Sequence, residues 1–200
     1  MASDEILLHV CCAPCSTVAV PYWRAEGLEP LALFVNPNVQ PDTEYARRLA
    51  AMQRYAAAAG LRLIVDESSS AASGAPVAGR AGLDDGLPPT TAERCAGCLQ
   101  MRLREAAWAA AARGLPRFAT SLTLSPYQRH DLLVSAGLRA AEEAGVEVGY
   151  ADLRRHYRKS VDESRRLALY RQKYCGCVAS KWEAWHERRG RRRGRGRDAA

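Results

Sequence analysis

Seven cysteines carry most of the chemistry that this 200-residue sequence can perform. They fall into three short groups: Cys11, Cys12 and Cys15; Cys95 and Cys98; and Cys175 and Cys177. Cysteine thiolates bind zinc and iron–sulfur clusters, and closely spaced pairs also form redox-active disulfides. Because no secretion signal precedes the first group and structural disulfides are uncommon in the cytosol, we expect metal or redox chemistry in a cytoplasmic protein.

The spacing within each group limits what it can hold. Three thiols within residues 11–15 are hard to explain by packing, so a metal or cluster is favoured there. Cys95 and Cys98 have the two-residue gap that chelates one zinc ion or one cluster, although a redox disulfide or a zinc knuckle would also fit. Cys175 and Cys177 could form a strained, reducible disulfide or share a metal. Spacing alone leaves zinc and iron equally open, and the zinc site could be purely structural.

Short apolar runs alternate with helical segments along the chain. Strands are predicted at 6–10, 30–35, 61–65, 117–122 and 146–148, and helices at 16–26, 42–59, 93–113 and from the turn at 125–127 to 144. This order predicts a single-domain, three-layer α/β/α fold with a Rossmann-like parallel sheet. We assign residues 1–187 to this catalytic domain, with a mobile loop at about 67–92, and residues 188–200 to a disordered basic tail.

The classical nucleotide-binding motifs are absent. Neither a glycine-rich dinucleotide fingerprint nor a Walker loop follows the first strand. The related ATP-pyrophosphatase group, of the HUP class of folds, would have a serine- and glycine-rich phosphate loop at this turn, where this chain has cysteines. Nucleotide activation is therefore not expected.

Three polar or thiol-bearing segments follow predicted strands. They are residues 11–15, 36–38 and 121–127. Sheets of this kind bind ligands beyond the carboxyl ends of their strands. We therefore expect these segments to converge on one site.

The net charge of +7 suggests an anionic partner, but its location gives two interpretations. Seven arginines between Arg188 and Arg197, with Asp198, contribute six of the seven net charges. The segment is either a solvated tail or a contact for RNA phosphates. No apolar run is long enough for a membrane span, so no membrane partner is expected.

Several ordered motifs resemble the cobalamin-independent epoxyqueuosine reductase family. The resemblance covers roughly residues 5–181. It includes 9–16 (HVCCAPCS), 36–38 (NPN), Glu44-Tyr45, Arg47-Arg48, 95–98 (CAGC), Arg102-Leu103, 120–122 (TSL), 125–128 (SPYQ), Asp131, 152–154 (DLR), 157–160 (YRKS) and 169–177 (LYRQKYCGC). Leu153 stands where the family usually has phenylalanine, and Ala179 precedes Ser180 where an acidic or aromatic residue is common, but neither change touches a thiol.

The resemblance implies an oxidoreductase that converts epoxyqueuosine to queuosine in the anticodon loop of tRNA. It implies a [4Fe–4S] cluster held by Cys11, Cys12, Cys95 and Cys98. Cys175 and Cys177 match a redox-active couple, present as a disulfide when oxidised, or a pair that helps hold a second metal ion such as iron. Cys15 is assigned to the second metal or the redox group. An electron donor of unidentified nature is also required.

Other residues are assigned by chemistry and position within these motifs. Asp152 and Tyr127 are candidate proton donors, with Cys175 and Cys177, in the catalytic set. Surface pairing and core packing are the competing interpretations of the polar and aromatic residues, and His9 is interpreted as a core residue. The candidate substrate-binding residues are Asn36, Asn38, Ser125, Arg154 and Tyr174.

The reaction itself demands two redox elements or a Lewis acid. Removal of the epoxide oxygen as water takes two electrons and two protons, whereas one [4Fe–4S] cluster ordinarily passes single electrons. Two rival functions remain: a non-redox zinc protein that binds RNA, and a thiol–disulfide oxidoreductase acting on proteins.

Overall fold

A five-stranded parallel sheet organises the chain in the structure, a computed structural model that describes residues 4–66 and 91–197. The strands are β1 (Glu5–His9), β2 (Glu29–Phe34), β3 (Leu63–Val65), β4 (Arg117–Thr120) and β5 (Glu147–Gly149). Their order is β3-β2-β1-β4-β5, and each neighbouring pair is parallel. The predicted α/β fold with a Rossmann-like sheet is therefore confirmed.

Six α-helices surround this sheet in the described part of the chain. They are α1 (Ala13–Ala25), α2 (Asp42–Ala58), α3 (Thr91–Ala111), α4 (His130–Ala144), α5 (Tyr157–Arg166) and α6 (Val178–Arg197). Helix α1 packs against α2 and α5, while α3 packs against α4 and beneath β1 and β4. Right-handed crossovers between parallel strands place α1 and α2 on one face and α3 and α4 on the other. None of the helices in residues 4–66 and 91–197 is apolar enough over sufficient length to cross a membrane.

Strand β1 is the centre of the core. Ile6, Leu7 and Leu8 are completely buried, because β2 and β4 flank the strand and helices cover both faces. A strand buried on both faces has a continuous apolar sequence instead of an alternating one. The end of β1 is consequently a rigid platform for the residues that follow it.

Helix α1 begins three residues earlier than the sequence predicted. The sequence predicts a helix from residue 16, but the helix starts at Ala13, with Cys12 at the N-cap in an extended conformation. Pro14 suits the first helical turn, where its missing N–H removes no hydrogen bond. The Ser16 and Thr17 hydroxyls instead donate to the backbone carbonyls of Cys12 and Pro14. Cys15 therefore lies in the first turn of a helix.

The basic carboxyl-terminal segment continues a helix in the structure. Helix α6 begins directly after Cys177 and its backbone continues to Arg197. Arginine is a good helix former and no proline interrupts this segment, so residues 188–197 can extend the helix. The predicted mobile loop at about 67–92 lies outside the described residues, apart from 91 and 92, which begin α3.

Gly149 permits the close approach of β5 and α1. A methyl group at this position would lie 2.8 Å from Cη2 of the Trp23 ring and 3.1 Å from Cδ1 of Ile6. Both side chains are buried, so neither can move without disturbing the core. We expect Gly149→Ala to lower the free energy of unfolding by about 1–3 kcal/mol, measured by urea titration.

The control for this prediction is Gly97→Ala. No atom lies within 4 Å of the methyl group that this change adds within α3. Replacing a helical glycine by alanine stabilises by roughly 0.5–1 kcal/mol when nothing clashes. An unfolding free energy that is the same for Gly149→Ala as for the parent would show that the β5–α1 contact is looser than described.

Candidate metal and redox site

The site forms at the point where the order of the strands reverses, between β1 and β4. From β1 the chain passes to β2 on one side, whereas β4 lies on the other side of β1. Such a switch point opens a crevice at the carboxyl ends of the two strands. Cys11 follows β1 and Ser121 follows β4, and the Cys11 N–H donates to Ser121 Oγ at 3.4 Å. The crevice is therefore lined by a thiol from one strand and a hydroxyl from the other.

The first cysteine group is compact and buried. The sulfur atoms of Cys11, Cys12 and Cys15 all lie within 4.8 Å of one another, and those of Cys11 and Cys12 are 3.6 Å apart. The extended N-cap and the immediate start of α1 turn all three side chains toward one point. Gln172, from the segment before α6, donates to the Cys12 sulfur at 2.9 Å. Three soft ligands in this arrangement could hold a metal.

The three thiols share protons unequally. Hydrogen bonds from Cys12 and then Cys15 hold the pKa of Cys11 well below its usual value, and the charge of Arg102 acts in the same direction. The same sharing raises the pKa of Cys12 to about 12 and that of Cys15 well above the ordinary range. Cys11 therefore loses its proton before Cys12 and Cys15 do, and a metal that binds all three must displace protons from the other two.

Arg102 lies between the first and second cysteine groups. This buried residue donates to Asn36 Oδ1 at 2.9 Å, and Asn36 in turn donates to the Val10 carbonyl at 2.9 Å. Its positive charge acts on the thiols of both Cys11 and Cys98. Asn36, predicted to bind substrate, thus has both ends of its amide engaged within the protein.

The second cysteine group belongs to the first half of α3. Cys95 and Cys98 are three residues apart and therefore lie on one face of the helix. Burial raises the pKa of each thiol, and the nearby Cys177 raises both further. The second and third groups therefore face each other, although Cys95 and Cys98 are not part of the 4.8 Å group formed by the first.

The third group is a pair of free thiols at the start of α6. The sulfurs of Cys175 and Cys177 are 3.9 Å apart, so no disulfide joins them. The Cys175 thiol and then the Ser180 side chain and backbone N–H hydrogen-bond to Cys177 and lower its pKa to about 5. The pKa of Cys175 is raised, first by its bond with Cys177. One sulfur of the pair is thus a thiolate at neutral pH and the other a thiol.

A buried arginine holds the third group against α2. Arg48 donates to the carbonyls of Tyr174 and Cys175, each at 2.9 Å, and to Glu44 at 2.8 Å. Gly176 lies at φ +140° in this turn, and a methyl group on it would meet the Val39 side chain at 2.9 Å. The turn that carries both thiols is therefore tightly enclosed.

Comparison with known proteins gives this site a family. The model of the family described as Epoxyqueuosine reductase QueH matches residues 6–183. A relative named Epoxyqueuosine reductase QueH from Dehalococcoides mccartyi is 38% identical over 181 residues, which cover 90% of this chain and 94% of that protein. One of the same name from Histophilus somni is 33% identical over 95% of this chain and 78% of its own length. The chain belongs to the epoxyqueuosine reductase QueH family.

A solved structure gives only a distant likeness. A predicted subunit of tRNA methyltransferase from Methanocaldococcus jannaschii aligns with a TM-score of 0.42 and 14% identity, over 76% of this chain and 74% of that one. At this distance the likeness adds nothing to the family assignment.

The remaining predicted residues of this QueH family member lie around the thiols or on the rim. Asn38 is buried beside Gly176, and neither atom of its amide has a hydrogen-bond partner among the described residues. The Tyr174 hydroxyl donates to the Gln40 carbonyl. Tyr127 is 81% exposed, with its ring edge on Tyr157, and its N–H donates to Ser125 Oγ at 3.3 Å.

Asp152 and Arg154 form an exposed ion pair on this QueH chain. Arg154 Nε lies 2.8 Å from an Asp152 carboxylate oxygen. This contact lowers the pKa of Asp152, so the carboxylate is ionised at neutral pH and is a poor proton donor. Their position agrees with the competing interpretation, in which Asp152 and Arg154 form an ion pair on the protein surface.

Three residues within the family motifs contact the thiol groups, although no role was predicted for them. Arg48 donates to the carbonyl of Cys175, and Arg102 lies between the first and second cysteine groups. Gln172 donates to the sulfur of Cys12. The only indication in the sequence is that these residues lie within motifs that also contain cysteines. That the two arginines are buried, and so support the site from within, follows only from the fold.

His9 makes the QueH chain sensitive to acid. It is fully buried, with Nδ1 2.8 Å from Thr120 Oγ1 and Nε2 3.2 Å from the Val35 carbonyl, an arrangement that a neutral ring satisfies. Burial, and then the charge of Arg102, lowers its pKa from 6.5 to about 3. Below pH 6.5 the unfolded chain takes up a proton that the folded chain cannot, so stability is full above pH 6.5 and falls toward pH 3.

We expect the unfolding free energy of the metal-free parent to fall between pH 7.5 and pH 5. This fall should exceed that of the His9→Gln variant by about 2 kcal/mol. Urea unfolding at each pH measures this difference. The variant removes the titrating group and keeps a neutral side chain of similar reach, so other groups cancel between the two proteins. Parallel curves for parent and variant would mean that His9 is protonated in the folded state.

The thiol pair predicts selective alkylation. In the metal-free, reduced protein, Cys177 should react with iodoacetamide faster than any of the other cysteines at pH 7, because its thiolate is partly exposed whereas Cys11 is buried. Peptide mapping across pH should place its midpoint near a pKa of about 5. Cys175→Ala removes the hydrogen bond that lowers the Cys177 pKa, so the midpoint should move upward. A midpoint for Cys177 near that of an ordinary thiol would contradict this assignment.

Proposed function

We propose that this chain reduces the epoxide of epoxyqueuosine in the anticodon loop of tRNA and leaves queuosine. The observation that carries the proposal is the convergence of three cysteine groups at one sheet edge in a chain that matches the QueH family over residues 6–183. A structural zinc site requires four ligands, whereas the described contacts link all seven cysteines to one region. The surplus favours redox chemistry.

The thiols fit an iron–sulfur cofactor. We assign Cys11, Cys12, Cys95 and Cys98 as ligands of a [4Fe–4S] cluster, which is ordinarily held by four cysteine thiolates. In support, Cys11 and Cys12 are adjacent and buried, and Arg102 acts on both Cys11 and Cys98. When bound, such a cluster supplies electrons one at a time. Cys15 lies in the same compact group as Cys11 and Cys12, so we assign it to the second metal or redox element beside the cluster.

The arginines prepare the site for negative charge. Four thiolates in a buried site repel one another, and a nearby buried cation offsets that repulsion. Arg102 does this for the first and second groups, and the charge of Arg48 is coupled to the thiols of Cys11 and Cys12. The protein thereby lowers the cost of deprotonating its own ligands.

Cys175 and Cys177 are suited to the two-electron step. Oxidation of this thiolate–thiol pair to a disulfide releases two electrons and one proton. Reduction of the epoxide consumes these and one further proton, which a separate donor supplies, as both carbon–oxygen bonds break and the oxygen leaves as water. The sulfurs, 3.9 Å apart, must close to about 2.05 Å, the length of an S–S bond. The electron donor then returns the disulfide to the dithiol. The same two sulfurs could instead hold a second iron ion.

The rim supplies groups for the substrate. Tyr127 packs on Tyr157, whose pKa is raised first by burial and further by Tyr127 and Cys15, so the aromatic pair lies near the thiols. We assign the Tyr127 hydroxyl as the proton donor to the departing oxygen, since Asp152 is ionised. Ser125, Arg154, Asn38 and Tyr174 remain candidates for binding the modified nucleotide.

Cysteine variants separate the cluster from the redox pair. We expect anaerobically purified parent protein to be brown and to contain iron, and Cys98→Ala to lose both iron and stability, because cluster binding supports folding. Cys177→Ala should retain most of its iron and colour yet fail to convert epoxyqueuosine tRNA. Iron analysis, visible absorbance and nucleoside mass spectrometry measure these outcomes.

Two results would contradict the proposal. Complete loss of iron in Cys175→Ala or Cys177→Ala would place that pair among the cluster ligands. Zinc without iron in the parent would favour the non-redox RNA-binding alternative. Ser135→Ala, an exposed serine of α4 whose hydroxyl bonds only within its own helix, serves as a control that should retain iron and turnover.

A further inference from the structure

A basic cavity lies on the outer side of the turn that carries Cys175 and Cys177. It has a volume of about 290 Å³ and lies between the first turns of α2 and the segment around α6. Its cationic lining residues are Arg47, Lys173 and Lys181, all exposed. None of the assigned cysteines lines it, so the cavity is separate from the thiol site yet adjacent to it.

The positive charge of this cavity is not compensated from within. Glu44 also lines it, but one of its carboxylate oxygens accepts from Arg48 at 2.8 Å and the other from the Tyr170 hydroxyl at 2.6 Å. Arg47, Lys173 and Lys181 form no ion pair in the part of the chain that the structure describes. Three cations around one small cavity repel one another unless an anion joins them.

The start of α2 adds to this preference for an anion. Pro41 is the N-cap residue and provides no side-chain hydrogen bond to the first turn. The first N–H groups of a helix have no partner within the helix, and its amino-terminal end carries partial positive charge. Thr43, in that first turn, lines the cavity. Of the acidic residues in this turn, Asp42 does not line the cavity and Glu44 is paired with Arg48, so the helix end and the three cations face the same space.

Two tyrosines complete the lining and are held in place by their hydroxyls. Tyr170 donates to Glu44, and Tyr174 donates to the Gln40 carbonyl. Each ring is half-buried and borders the cavity. Cations beside aromatic rings are typical of surfaces that bind single-stranded nucleic acid, where phosphates meet the charges and bases or sugars meet the rings.

We propose that this cavity binds a backbone phosphate of the RNA strand next to the nucleotide that is reduced. The proposal rests on the proposed function and adds a contact that positions the RNA strand on the protein. Tyr174 precedes Cys175 directly, and the Lys181 N–H donates to the Cys177 carbonyl at 3.1 Å. A phosphate held here is tied to the same turn as the redox thiols, so the neighbouring base is delivered to them in a fixed register.

The test is the salt dependence of tRNA binding by the full chain. The double variant Lys173→Gln with Lys181→Gln removes two cations. The control double variant, Arg113→Gln with Arg139→Gln, removes two exposed cations, one just after the end of α3 and one in the second half of α4. Fluorescence anisotropy with a labelled tRNA transcript between about 50 and 200 mM KCl gives log K against log salt for each protein. Melting temperature and iron content check that each variant is folded and loaded.

We expect the lysine variant to bind more weakly at low salt and to have a slope flatter by about 0.7, the contribution of one phosphate contact on a single strand. Over a fourfold change in salt this is about a 2.6-fold smaller loss of affinity than in the parent. Each single lysine variant should give about half of that change in slope. The arginine control should match the parent.

The outcomes separate this inference from the proposed function. A lysine variant with the parent's salt slope would overturn the phosphate site, even if the parent converts epoxyqueuosine tRNA. A flattened slope in the lysine variant alone would support the phosphate site, even if the parent lacks reductase activity. Should the double variant unfold, the single variant Lys173→Gln decides, because this exposed side chain makes no described hydrogen bond and an unchanged slope there contradicts the proposal.

Discussion

Burial of positive charge beside thiols is the constraint on which the site depends. A buried guanidinium is tolerated only when it is paired and hydrogen-bonded. Arg48, 1% exposed, meets this requirement with Glu44 and two carbonyls of the Cys175 turn. Arg102 meets it in part: it donates to Asn36 and contacts the Cys98 thiol, while its Nε has no hydrogen-bond partner among the described residues, and its charge reaches two cysteine groups. The hydrogen bonds that satisfy the arginines are therefore the same bonds that fix the thiol-bearing segments.

The parallel sheet explains why these segments can meet. Strand β1 lies in the centre, with β2 and β4 on either side, so three successive strand ends point to one edge. Cys11, Asn36 and Ser121 follow those three ends. Asn36 donates to the Val10 carbonyl and accepts from Arg102, and the Cys11 N–H donates to Ser121. Helix α3 then delivers Cys95 and Cys98 from its first turns. The chemistry is thus assembled by rigid elements from distant parts of the chain, which favours a preorganised site.

The electrostatics divide the thiols by role. Cys11 and Cys177 have lowered pKa values, whereas their immediate partners have raised ones, so in the first and third groups one thiol ionises before its neighbours. A thiolate is the form that binds metal and attacks disulfides, and a neighbouring thiol holds the proton that a reduction consumes. Outside the thiols, the Lys173 and Lys181 cavity extends positive charge toward solvent, where a polyanionic substrate would approach. Positive charge is therefore present both at the surface cavity and beside the buried thiols.

The sequence by itself determined the order of strands and helices, the parallel sheet and the convergence of strand-end segments, because these follow from local apolar periodicity and from general rules of α/β topology. It also identified the seven cysteines and, through ordered motifs, the family. Only the tertiary structure decided that Cys15 joins Cys11 and Cys12 within 4.8 Å, that Asn36 accepts a hydrogen bond from Arg102, and that Asp152 forms an ion pair with Arg154. These relations depend on the start of α1, on burial and on side-chain contacts between residues far apart in the chain, as many as 160 residues for Gln172 and Cys12. Local sequence patterns carry no record of such distances, because a contact is fixed by packing and not by spacing along the chain.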